Sequence, residues 1–66
     1  TTREKLLAYL SDQAKKTGSA EFTIPYDRQA LADYLSVERS AMSAEISKLK
    51  KDGILEVKGS HFRLIH

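Results

Sequence analysis

Between Arg39 and Lys48 the chain reads RSAMSAEISK. Met42, Ile46 and Leu49 fall at i, i+4 and i+7, which sets one face of a helix inward. The opposite face carries Arg39, Ser40, Ser43, Ala44 and Ser47, and all but the arginine are small. Solvated helices ordinarily carry long charged side chains, which keep their freedom and hydrate well. A face this low is shaped to lie close against something. Its hydroxyls donate or accept hydrogen bonds, its methyl offers apolar contact, and the Arg39 fork matches the paired acceptors of a guanine edge. Two surfaces suit it: base edges in a nucleic-acid groove, or the helix of a protein partner.

A second set of residues has the chemistry of anion contact. Arg28 and Gln29 follow Asp27 at the start of a predicted helix, where free backbone N–H groups favour a phosphate. Lys58, Ser60, His61 and Arg63 surround a Gly59-Ser60 turn, with Ser60 small enough to let the backbone approach a ligand. Lys48, Lys50 and Lys51, toward the end of the third helix, read as solvent-facing side chains or distant phosphate contacts. Catalytic sets are missing from the pattern. His61 and His66 are the only histidines, and neither has a metal-ligand or nucleophile partner at a meaningful spacing. Asp27 and Asp33 read as an N-cap and a solvated carboxylate rather than an acid/base pair. No catalytic residue, metal ligand or cofactor site is expected.

Sixty-six residues allow one domain, spanning 1–66. With no cysteine, neither a disulfide nor a thiolate metal site supports the core. Hydrophobic content of 41% suffices for one, and no apolar run approaches a membrane span. With no secretory leader pattern either, the expectation is a cytoplasmic protein with no membrane partner. The formal net charge is +2, and the excess lies in residues 34–66, which hold six basic and four acidic side chains against five and five before them. That bias permits nucleic-acid binding without requiring it.

The elements that must position these residues follow from periodicity and punctuation. TTREKLLAYLSDQAKKTG predicts a first helix, with Thr1 and Glu4 as a capping box, an inner stripe of Leu6, Leu7, Leu10 and Ala14, and Gly18 as the stop. EFTIP predicts a short strand with Phe22 and Ile24 on one face. YDRQALADYL predicts a second helix capped by Asp27, with Leu31 and Leu35 inward. SVE is a three-residue turn, and the third helix runs from Arg39 to Asp52 with Gly53 beyond it. ILEVKGSHFRLI predicts a hairpin about a type II′ turn, pairing Lys58 with His61, Val57 with Phe62, Glu56 with Arg63 and Leu55 with Leu64. The sum is mainly α with a small antiparallel sheet: three helices, one short strand and a C-terminal β-hairpin, the order of a winged helix-turn-helix. In that motif the second helix of the pair enters the major groove, about 12 Å wide. The low face would then be what permits entry.

At IPYDRQALADYLSVERSAMSAEISKLKKDGILEVKG the sequence resembles the C-terminal DNA-binding domain of the Crp/Fnr family of bacterial transcription regulators. The segments that carry the likeness are RQ-x-LA-x-YL, V-x-RS-x-x-S and L-x-K-x-G-I-L-x-V-K-G. The resemblance implies an output domain whose N-terminal sensor, with its undetermined effector, is absent. It implies double-stranded DNA as partner, RNA polymerase as a further one, and a homodimer for a full-length member but a monomer for this fragment. By position it assigns base reading to Arg39 and Ser43, and phosphate contact to Arg28 and Gln29. Ser40 stands where the Fnr-like reading set has glutamate, and Ala44 where it has arginine. Ser36 occupies a turn position where glycine is common, and Glu38 an N-cap position better served by Asp or Ser. The alternative from another class is a winged helix that binds protein through the same small-residue face.

Overall fold

The first helix, α1, spans Thr2–Thr17 in the computed structural model, which describes residues 1–65. Both arms of the capping box form: the Glu4 N–H donates to Thr1 Oγ1 at 3.2 Å, and the Thr1 nitrogen donates to Glu4 Oε1 at 3.1 Å. Gly18 ends the helix at φ 70°, a left-handed position that a side chain would strain. Of the expected inner stripe, Leu6 and Leu10 are fully buried, while Leu7 and Ala14 pack half-buried at its margin.

Strand β1 is Glu21–Thr23, shorter than the expected EFTIP. It stops there because Pro25 has no N–H to continue a ladder; Ile24 makes one more bond, its N–H donating to Ser60 O at 2.9 Å. Helix α2 is Arg28–Leu35, and the Asp27 carboxylate caps it by accepting the Ala30 N–H at 2.8 Å. Helix α3 is Arg39–Lys51, one residue short of the expected end, with Asp52 as its C-cap. Its inner stripe of Met42, Ile46 and Leu49 is buried as the spacing requires.

Strands β2, Leu55–Lys58, and β3, His61–Leu64, form the hairpin in the expected register of all four pairs. Gly59 holds φ 61° while Ser60 stays out of the left-handed region, as a turn with glycine first demands. Strand β1 joins the far side of β3, antiparallel, with Glu21 opposite Arg63 and Thr23 opposite His61. The sheet order is β1-β3-β2. Its inner face brings Phe22, Leu55 and Phe62 onto the helical core, which among the described residues contains no fully buried polar or charged residue. This is the winged helix-turn-helix that the element order predicts.

Two features bind the turn and loop segments. The Ser60 hydroxyl donates to the Tyr26 carbonyl at 2.7 Å, tying the hairpin turn to the segment before α2. Tyr26 also stacks on Tyr34 with ring centroids 5.2 Å apart, and Tyr9 of α1 meets Tyr34 edge-on at 5.5 Å. The three rings extend the core outward between α1 and α2, and only Tyr34 is largely exposed.

Candidate nucleic-acid interface

The start of α2, the start of α3 and the tip of the hairpin meet around one groove of about 290 Å³, lined by Asp27, Arg28, Gln29, Arg39, Gly59 and Ser60. Each element arrives there for a local reason. Asp27 caps α2 and satisfies the Ala30 N–H, so the N–H groups of Arg28 and Gln29 remain free, as a helix start leaves them. The αL residue Ser36, at φ 58° and ψ 45°, turns the chain sharply enough to begin α3 three residues later. The Ser60–Tyr26 bond holds the hairpin tip over the same corner.

Beyond Arg39 the outer face of α3 is open. Ser40, Ala44 and Ser47 are exposed and Ser43 is half-buried, so the small residues form a low ridge beside the groove rather than a buried seam. Neither the hairpin nor α1 covers it. Glu38, at the N-cap position, makes no side-chain bond to the helix start.

The expected phosphate-contacting residues divide between two places. Arg28, Gln29 and Ser60 line the groove with Arg39. Lys58, His61 and Arg63 lie on the outer face of the sheet, around a second depression of about 250 Å³ shared with Glu21, Glu56 and Val57. Period two dictates this, since residues 56, 58, 61 and 63 alternate with the buried set. Arg63 Nη1 donates to Glu56 Oε1 at 2.9 Å, and His61 Nε2 lies 3.4 Å from Glu21 Oε2 with its Nδ1 2.9 Å from the Thr23 hydroxyl. Lys58 has no carboxylate within ion-pair distance among the described residues. Gln29, too, is engaged, its Nε2 donating to Asp33 Oδ1 at 3.0 Å along α2. The sequence alone did not reveal the Ser60–Tyr26 tie, because it joins residues 34 apart through a backbone carbonyl.

The described residues contain no group of three or more His, Cys, Asp or Glu side chains placed to hold a metal, and no helix is long and apolar enough to cross a membrane. What the corner offers is a set of donors and cations facing out from three elements. Comparison with known proteins decides the class: the model of the Crp-like helix-turn-helix domain matches residues 4–66. The chain belongs to that family. A relative of the Crp-like domain is the transcriptional activator protein FnrL of Cereibacter sphaeroides, 28% identical over 74 aligned residues that cover 98% of this chain. The same alignment covers 30% of FnrL, so the Crp-like domain spans about a third of that regulator's length. No solved structure matches the chain significantly. The family is one of DNA-binding domains of transcription regulators rather than an enzyme class.

Proposed function

We propose that this Crp-like domain binds duplex DNA sequence-specifically, as the output domain of a bacterial transcription regulator acting in the cytoplasm. Helix α3 enters the major groove with Arg39 leading. Arg39, Ser40, Ser43, Ala44 and Ser47 face the base edges. Arg28 and Gln29 hold one phosphate against the α2 N-terminus, and the wing holds another through Lys58 and the backbone at Ser60. His61 and Arg63 would first have to leave Glu21 and Glu56, so they contribute less than Lys58. Phosphate contacts set the pose and most of the affinity; the α3 face sets sequence choice.

The observation that carries this reading is the convergence of three elements on one cationic groove beside an exposed, small-residue helix face. In a longer protein resembling FnrL, two such domains would act as a homodimer, with RNA polymerase as a downstream partner. Alone, one domain engages one half-site and loses the gain in effective concentration that a dimer has. Titration of the domain against a random duplex at several salt concentrations tests the class. Neutralising two phosphates, one at the start of α2 and one at the wing, gives a slope of log K on log salt of about −2. A slope near zero would instead favour a protein-binding winged helix.

A further inference from the structure

Glu45 is the only acidic residue of α3, and its carboxylate sits between that helix and α1. Its side chain is 22% exposed, and Oε2 is shut off from solvent without a hydrogen-bond donor. Two cations stand near but beyond hydrogen-bond reach: Arg3 Nη1 is 4.0 Å from Oε2, and Lys48 Nζ is 3.8 Å from Oε1. A shielded, unbonded carboxylate oxygen costs stability, and an apolar side chain of similar volume would fill the same space without that cost. What the charge adds is attraction toward Arg3, on the first turn of α1, directly across the α1–α3 contact.

We infer that Glu45 is a positioning residue, held toward Arg3 so that α3 keeps one rotation about its own axis. Successive residues of a helix are about 100° apart, so a roll of α3 that changes the setting of Glu45 turns Ala44 and Ser47 by the same angle. The pair thereby refines the projection of the small-residue face that the buried Met42, Ile46 and Leu49 stripe sets. Lys48, two-thirds exposed on a flexible stem, is the weaker partner, because it follows the carboxylate wherever α3 rolls. Arg3, its side chain 41% exposed, projects from another helix and so gives the attraction a direction that does not turn with α3. The consequence for sequence choice rests on the DNA-binding reading; the geometric statement does not.

Arg3→Gln, Glu45→Gln, the double variant and Glu45→Leu separate the possibilities. In the DNA-free protein, Arg3→Gln and Glu45→Gln should shift the amide resonances of Ser40, Ser43, Ala44 and Ser47 in the same direction, and the double variant should add little to either. On DNA, simple charge counting makes the two variants opposite: losing a cation weakens random-duplex binding and losing an anion strengthens it. Positioning makes them alike in a different quantity. The ratio of affinity for the duplex selected by the wild-type domain to affinity for random duplex should fall in both, by about threefold to tenfold. Glu45→Leu, which keeps the packing, should fold and show the same fall. Unmoved outer-face amides, or a ratio that follows the sign of the charge removed, would overturn the inference. If the wild-type domain binds no duplex, the functional reading fails, and the resonance comparison alone decides the role of Glu45.

Discussion

Ser36 holds φ 58° and ψ 45° without being a glycine, and it is the only non-glycine residue among those described with positive φ. A left-handed setting costs a residue with a Cβ on the order of 1–2 kcal/mol, partly offset because glycine frees the unfolded chain. Ser36→Gly should therefore stabilise the domain by roughly 0.5–1 kcal/mol, read from chemical denaturation with an unchanged slope. Glu38 leaves the start of α3 uncapped. Glu38→Asp keeps the charge and shortens the side chain to capping length, for a gain of up to about 1 kcal/mol in the same measurement. At Tyr9, burial raises the phenol above its ordinary value of 10, with Tyr26, Tyr34 and Asp12 adding to the shift. A raised folded value means the fold prefers the neutral ring: that stability is fully present below the unfolded value and is lost as pH rises through the folded one. Spectrophotometric titration should show a late phenolate step that Tyr9→Phe removes. In the DNA-reading set, Ala44→Arg should change the preferred duplex rather than only tighten binding, as selection from a random pool would show. An identical motif for both proteins would take Ala44 out of the groove.

At the scale of elements, what was legible depended on whether one local pattern determined the outcome. The hairpin register followed from two signals that agree, the alternation of Leu55, Val57, Phe62 and Leu64 and a glycine placed first in a two-residue turn. The three helices followed from their stripes and caps. The tyrosine cluster did not, because Tyr9, Tyr26 and Tyr34 come from α1, a loop and α2, and only the path of that loop brings the rings together. The division of the wing residues was half legible: the register already placed Glu56 opposite Arg63, but the Glu21–His61 contact required the alignment of β1 with β3. That division makes a graded prediction. Lys58→Ala should weaken binding to all duplexes alike and flatten the salt slope by about one phosphate's worth. Arg63→Ala should do less, since its guanidinium is already committed to Glu56 at 2.9 Å. Equal losses from the two variants would mean that DNA pulls Arg63 free of its partner.

For the whole molecule, the fold and the functional corner have one origin. Three helices too short to bury their stripes in pairs share one core, and the sheet closes its open side. This arrangement directs the N-termini of α2 and α3 and the Gly59–Ser60 turn to a single corner. The exposed face of α3 is left over from the packing and is free to be specialised. This face, with the adjoining corner, is the surface proposed to meet DNA. Amide resonance mapping during titration with a short duplex tests it most directly. Shifts should concentrate at Arg28, Gln29, Arg39, Ser40, Ser43, Ala44, Ser47, Lys58 and Gly59, with Tyr9 and Tyr34 little changed. Shifts centred on the tyrosine cluster, with residues 39–47 unmoved, would contradict it.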